Sequence, residues 1–144
     1  MSFSCDVNVL LHASDTASPV HAVARRFVEG ATAGDDLFCL GWPTVMSYLR
    51  IATHPRIFTT PLSPAEALDN VDALVLQPHV RLLSEEEGFL EIYRAISGAL
   101  PVRGNLVPDA HLAALLRQHG VRRLFTRDAD FRKFHFLEVR DPFA

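Results

Sequence analysis

Short apolar runs alternate along the chain with stretches in which apolar residues recur every three or four positions. The short runs cover residues 3–6, 37–40, 80–83, 122–126 and 137–139 and favour β-strands. The stretches between them favour amphipathic helices. Strands that alternate with helices are typical of parallel sheets, so we predict an α/β fold. Its core would be a mostly parallel sheet of four to five strands, covered on both faces as a three-layer α/β/α sandwich.

Prolines, glycines and capping residues divide the helical stretches. After the apolar run at residues 7–11, a helix starts at Pro19 and the next covers residues 43–53. Ser63 opens a capping box for the third, and residues 84–87 repeat the cap signal for a fourth that reaches about Ile96. Asp109, directly after a proline, predicts the start of the last helix.

Composition narrows the class of protein. The chain has 144 residues, of which 49% are hydrophobic and 22% charged, which excludes a disordered tail and a disulfide-dense mini-protein. We expect one domain over residues 1–144, with no membrane span and no secretory signal. Cys5 and Cys39 both lie in apolar runs, so we expect two buried free thiols and a reducing, cytoplasmic location.

Charge is unevenly distributed along the chain. The net charge is −3, but residues 61–100 are acidic and residues 117–140 are basic. Every basic residue except Lys133 is an arginine. A guanidinium makes planar, bidentate contacts to phosphate, so one interpretation of this composition is a phosphate-bearing partner. A GC-rich genome would also encode arginine in place of lysine.

Three aspartates lie where a parallel sheet binds ligands, outside the carboxyl ends of its strands. Asp6 and Asp128 follow predicted strands, and Asp109 opens the helix that leads into the strand before Asp128. Each also has a structural interpretation, because Asp109 suits an N-cap, Asp6 or Asn8 suits a cap of the first helix, and Asp128 suits a turn.

Taken together, these aspartates predict a metal site. Carboxylates that are crowded within about 4–6 Å repel each other unless a cation neutralises them. An all-oxygen ligand set favours Mg²⁺ or Mn²⁺, and such ions suit phosphodiester hydrolysis. The sequence has no phosphate-binding glycine loop, no serine-hydrolase elbow and no Cys–His zinc spacing.

Three stretches resemble the signatures of PIN-domain ribonucleases. They are Cys-Asp-Val-Asn-Val-Leu-Leu at 5–11, Val-Pro-Asp-Ala-His-Leu-Ala-Ala-Leu at 107–115 and Thr-Arg-Asp-Ala-Asp-Phe at 126–131. The toxin subunit of VapBC toxin–antitoxin modules is more similar still, and residues 47–56 resemble one branch of it. The resemblance covers essentially the whole chain. It implies a PIN fold, an endoribonuclease that depends on Mg²⁺ or Mn²⁺, an RNA substrate such as tRNA or rRNA, a homodimer and a VapB-type antitoxin.

The resemblance also implies roles for individual residues. Asp6 and Asp109 match metal ligands, and Asp128 matches a third member of the acidic pocket. Asp130 is either a fourth contributor that acts through water or a turn residue.

Two further positions match supporting residues. Asn8 matches the small polar residue that orients the first carboxylate. Thr126 matches the hydroxyl that braces the last one.

One position departs from the family pattern. Many PIN domains carry a glutamate on the helix after the second strand, where this chain has Ser47. Either Asp130 replaces that carboxylate, or a second ion arrives with the substrate, or the chain binds RNA or an antitoxin without efficient cleavage.

Cationic and aromatic residues complete the candidates. Basic side chains either hold the RNA backbone or form a solvated charged face; these are Arg50, Arg56, Arg127, Arg132 and Lys133. Trp42 and Tyr48 either stack on a base or an antitoxin side chain or belong to the core. We assign His111 to packing, and we rank phosphotransfer through Asp6 as a nucleophile below hydrolysis, since phosphatases of that kind have a second aspartate at the position of Asn8.

Overall fold

The structure is a computed structural model that describes residues 1–144. Its strands are β1 (Ser2–Cys5), β2 (Leu37–Gly41), β3 (Val80–Leu83), β4 (Arg123–Phe125) and β5 (Glu138–Arg140). They form one sheet in the order β3-β2-β1-β4-β5, and every neighbouring pair is parallel. The predicted α/β fold is confirmed, and the sheet is parallel throughout.

Six α-helices connect the strands. They are α1 (Val7–Ser14), α2 (His21–Ala33), α3 (Trp42–Ala52), α4 (Pro64–Val75), α5 (Phe89–Ser97) and α6 (Leu106–Gln118). A short 3-10 helix, Ala129–Lys133, lies between β4 and β5. None of these helices is long and apolar enough to cross a membrane.

Helices cover both faces of the sheet, because alternate side chains of a strand point to opposite faces. On β2, Phe38 and Leu40 join an apolar cluster with residues of α1, α3 and α4, whereas Cys39 joins a second cluster built mainly from α6. Cys5 and Cys39 are buried free thiols, as expected from their apolar surroundings.

Local signals place some helix starts correctly and others wrongly. The capping box at Ser63 is present, with the Ser63 side chain accepting from the Glu66 amide and the Glu66 side chain accepting from the Ser63 amide. The predicted start of α5 within residues 84–87 is wrong, because α5 begins at Phe89 after Gly88. The side-chain amide of Gln118 on α6 bonds to backbone groups of Glu86 and Glu87, which holds that segment outside the helix.

The predicted start of α6 at Asp109 is also wrong. This helix begins at Leu106, with Asn105 at the cap position, so Asp109 lies one turn inside it. Pro108 is tolerated there because the first amides of a helix have no partner within the helix.

Candidate active site

The predicted aspartates gather at the carboxyl edge of the sheet, beside β1. This central strand pairs with β2 on one side and β4 on the other. The chain leaves β1 for β2 and leaves β4 for β5, in opposite directions along the sheet. Such a reversal opens a crevice at the strand ends, which is where α/β proteins bind their ligands.

A pocket of about 140 Å³ occupies this crevice, and we call it the acidic pocket. It is lined by Asp6, Val7, Asn8, Pro43, Thr44, Ser47, Pro108, Asp109, His111, Leu112, Asp128 and Phe131. The structure therefore brings Asp6, Asp109 and Asp128 to one concave surface, with Ser47 in the same lining.

Asp6 is the most deeply held of the acidic side chains, with 6% of its surface exposed. One carboxylate oxygen accepts from the Val9 amide at 3.4 Å, which caps α1, and the other accepts from the Thr126 hydroxyl. Burial raises the pKa of Asp6, while these two hydrogen bonds lower it.

Thr126 joins the first and last acidic segments. Its hydroxyl donates to Asp6 and accepts from the Asp128 amide at 2.9 Å. The Asp6 carboxylate is held by the Thr126 hydroxyl and the Val9 amide, and no hydrogen bond joins it to the Asn8 side chain. A hydrogen bond from the Asn8 backbone also lowers the pKa of Asp6.

Asp109, Asp128 and Asp130 form the tightest acidic group, with one carboxylate oxygen from each within 4.8 Å of the others. The pKa of Asp109 is raised to about 6, first by burial and then by the charges of Asp128, Asp130 and Asp6. Lys133 lowers it, and its ammonium lies 3.2 Å from Asp130. Carboxylates that repel each other strongly enough to raise the pKa of one of them are suited to binding a hard divalent cation.

The structural interpretations of the aspartates hold for two of the three. Asp6 caps α1, and Asp128 caps the 3-10 helix by accepting from the Asp130 amide at 2.9 Å. Asp109 caps nothing, and its carboxylate accepts no hydrogen bond. Its burial against other carboxylates therefore has no structural explanation within the chain.

His111 is a pocket residue that sequence reasoning assigned to packing alone. Its ring packs edge-on against Phe89, but it also lines the acidic pocket, and its Nε2 is bonded to Glu85. That hydrogen bond lowers the pKa of Glu85. The sequence held one signal for this placement: Glu85, the partner of His111, follows β3 at the same edge of the sheet as the aspartates.

The candidate cations are unequally placed. Arg127 lies beside Asp128, and Lys133 pairs with Asp130. Arg50 and Arg132 are exposed and make no ion pair. Arg56 is exposed on the loop after α3.

The two aromatic candidates differ in exposure. Tyr48 is buried, and its hydroxyl bonds to Ser14 and Asn70, which excludes it from stacking on a base. Trp42 begins α3 and is 44% exposed.

A larger cavity of about 480 Å³ lies between α1, α2, α3 and α4. Its one carboxylate, Glu29, is paired with Arg25, so this cavity has no cluster of charges that would need a ligand. Cavity size alone does not identify a reactive site, and the clustered carboxylates lie in the smaller acidic pocket.

Comparison with known proteins agrees with this fold. The PIN domain family model matches residues 4–137. Ribonuclease VapC48 of Mycobacterium tuberculosis is 46% identical over 144 residues, covering 100% of this chain and 99% of that protein. Ribonuclease VapC37 of the same organism is 32% identical over 137 residues, covering 95% and 94%.

Solved structures share the fold at low sequence identity. The crystal structure of Mycobacterium tuberculosis VapC20, described as a sarcin-ricin loop cleaving toxin, matches with a TM-score of 0.70 at 17% identity, covering 96% of this chain and 98% of that one. VapBC2 from Rickettsia felis, bound to a DNA fragment from its promoter, also matches with a TM-score of 0.70, at 10% identity and 98% coverage of both chains. With the aspartates gathered beside β1 and a full-length relative at 46% identity, the chain belongs to the PIN-domain family, in its VapC ribonuclease branch.

Proposed function

We propose that this protein is a divalent-metal-dependent endoribonuclease toxin that hydrolyses RNA phosphodiester bonds and is neutralised by a cognate antitoxin. The observation that carries the proposal is the convergence on one pocket of carboxylates from the residue after β1, from α6 and from the segment after β4. Full-length identity to VapC ribonucleases supports the reaction class.

The charge of the pocket supports metal dependence. RNA is a polyanion, and a pocket that holds Asp6, Asp109 and Asp128 repels it in the absence of a cation. We propose Mg²⁺ or Mn²⁺ as the ion, held by Asp6, Asp109 and Asp128, with Asp130 at the exposed side of the group. When bound, such an ion supplies a more acidic water and offsets the charge that develops on the phosphate.

The chain's own residues position these groups. Thr126 fixes the Asp6 carboxylate and the backbone of Asp128 together. Asp109 presents a carboxylate without a hydrogen bond, so it is free to bind. The Asp130–Lys133 pair lies at the exposed edge, where Lys133 offers a cation to the RNA backbone.

We propose that the substrate is a structured RNA such as tRNA or rRNA and that a VapB-type antitoxin is the partner. Two structural neighbours are VapBC complexes, which supports such a partner. We also propose one domain over residues 1–144, a homodimer and a cytoplasmic location. The two buried free thiols are consistent with a reducing compartment.

The decisive experiment is cleavage of RNA by purified protein with Mg²⁺ or Mn²⁺, with excess EDTA, and in the variants Asp6→Asn and Asp109→Asn. We expect cleavage only with added metal, and a loss of at least about 100-fold in each variant, because one ligand charge is removed without a change in shape. Asp69→Asn, an exposed aspartate on α4, is the matched control and should cleave like wild type. Undiminished cleavage in EDTA or in both site variants would reject the proposal.

A second candidate function is a PIN module that binds RNA or an antitoxin with little cleavage. The observation that favours it is Ser47, a neutral side chain in the lining of the acidic pocket where relatives of this fold often place a glutamate. Introducing Ser47→Glu and measuring cleavage separates the two. Cleavage that appears only in this variant supports the weakened module, whereas efficient cleavage by wild type excludes it.

A further inference from the structure

A second concave surface adjoins the acidic pocket, and we call it the C-terminal cleft. It has a volume of about 250 Å³ and is lined by Asp6, Asn8, Val9, His12, Arg127, Asp128 and Phe143. It shares Asp6, Asn8 and Asp128 with the acidic pocket. A polymer such as RNA that lies across these residues therefore occupies both the acidic pocket and the C-terminal cleft.

The segment after β5 builds the outer wall of this cleft. The Thr126 amide donates to the Arg140 carbonyl at 2.8 Å, which ties the end of β5 to the segment before Arg127. The Phe143 amide donates to the Asp141 side chain at 2.8 Å, and the Phe143 ring packs edge-on against His12 at 6.1 Å between centroids. Residues from the two ends of the chain therefore face each other across the cleft.

Arg127 is held at this wall by two contacts. Its guanidinium carbon lies 5.6 Å from the centre of the Phe143 ring, and its Nε lies 3.7 Å from the Asp141 carboxylate. The side chain is still 59% exposed. An arginine that is oriented by an aromatic ring and remains open to solvent is well placed to bind an anion.

We propose that the C-terminal cleft is a nucleotide subsite for the RNA residue next to the scissile phosphate. Arg127 binds the phosphate of that nucleotide, and the rings of Phe143 and His12 contact its base. The assignment rests on the proposed nuclease function, because the shared Asp6 and Asp128 place the cleft next to the reacting phosphate. One cation beside two aromatic rings matches the phosphate and base of a single nucleotide.

The test is steady-state cleavage of an RNA oligonucleotide with Mn²⁺ by wild type, Arg127→Ala, Phe143→Ala and Phe143→Leu. We expect KM to rise about tenfold in each variant with kcat nearly unchanged, as for the loss of one stacked or phosphate-bound nucleotide. Phe143→Leu keeps an apolar side chain in the core, so it separates loss of the ring from loss of folding. An unchanged KM in all three variants overturns the proposal.

A second arm identifies the nucleotide. Abasic nucleotides are introduced into the RNA one at a time beside the scissile bond. At one position, we expect the abasic RNA to raise the KM of wild type but to cause no further rise in the KM of Phe143→Leu. Equal additional losses at every position would show that the ring has no nucleotide partner. Phe136→Ala is the matched control, because this ring also has an arginine beside it, with Arg117 5.2 Å from the ring centre. Phe136 lies just before β5, at the amino end of the sheet and away from the cleft. The KM and kcat of this variant should not change.

Failure of the nuclease function itself would be visible separately. If wild type does not cleave any RNA, the same variants are compared by fluorescence anisotropy with the same oligonucleotide and Mn²⁺. A roughly tenfold weaker Kd in Phe143→Leu, but not in Phe136→Ala, supports the subsite without cleavage. Equal Kd values reject it.

Discussion

At the scale of single residues, the acidic side chains divide into one that is fixed and one that is free. Asp6 is buried and hydrogen-bonded on both oxygens, whereas Asp109 has no hydrogen-bond donor and faces three other carboxylates. The first arrangement gives a rigid anchor. The second leaves charge repulsion between carboxylates in the metal-free protein, and a bound cation would relieve that repulsion.

The raised pKa of Asp109 predicts how metal-free stability depends on pH. Its folded pKa is about 6, above its usual value of 3.8, so the native state binds the extra proton between these values. The resulting stability is fully present below the lower value and is lost as pH rises through the higher one. We therefore expect the Tm of Asp109→Asn minus that of wild type, both in EDTA, to increase from pH 4 to pH 7.

Thermal scans at several pH values test this dependence, with Asp69→Asn as the control for the loss of an exposed charge. That control should show no comparable trend. A difference between Asp109→Asn and wild type that is the same at pH 4 and pH 7 would mean that the Asp109 carboxyl titrates normally.

The Thr126 hydroxyl predicts a stability effect of its own. Thr126→Val keeps the shape of the side chain but removes the donor to Asp6 and the acceptor for the Asp128 amide. We expect a loss of about 1–3 kcal/mol in the free energy of unfolding, measured by urea denaturation. NMR titration should also show the pKa of Asp6 rising further, because that hydrogen bond lowers it. Thr126→Ser keeps the hydroxyl and should retain most of the stability. A Thr126→Val variant as stable as wild type would contradict the prediction.

At the scale of elements, a helix start is readable from sequence when its signal is local and unopposed. The capping box at Ser63 needs only residues within one turn, and it forms as predicted. The cap signal at residues 84–87 fails because Gln118, far along the chain, binds that segment. Asp109 resembles a cap because it follows a proline, but α6 has already begun at Leu106.

This contrast between true and apparent caps is testable. Ser63→Ala removes a side chain that accepts from the Glu66 amide and should cost about 1 kcal/mol in the free energy of unfolding. Asp109→Ala removes no capping bond and should not destabilise the metal-free protein at pH 7. Urea denaturation of both variants measures the difference. A comparable loss in Asp109→Ala would show that this carboxylate does support the start of α6.

At the scale of the whole molecule, the sequence pattern predicts the parallel sheet and the edge on which the aspartates gather. Strand alternation and the positions of Asp6 and Asp128 after strands are sufficient for that inference. The sequence leaves open whether Asp130 joins Asp109 and Asp128 or only forms a turn, since that depends on the geometry of the 3-10 helix. Nor does it place Phe143 beside His12, because contacts between the two chain ends have no local signal.

Metal binding should stabilise the whole fold. An ion that binds only the native state adds RT ln(1 + [L]/Kd), about 2.7 kcal/mol at a concentration roughly 100 times Kd. We expect millimolar Mg²⁺ or Mn²⁺ to raise the Tm of wild type by several degrees and to raise that of Asp109→Asn much less. Differential scanning calorimetry makes the comparison. The same increase in both proteins would indicate that the ions bind elsewhere.

The hydrogen bond between Thr126 and Asp6 joins positions 120 residues apart. Asp6 is therefore synthesised long before its hydroxyl partner and Asp128. A growing chain has no complete acidic pocket until β4 has left the exit tunnel. A nascent chain that stops before β4 therefore lacks the assembled carboxylates that the proposed cleavage of RNA requires.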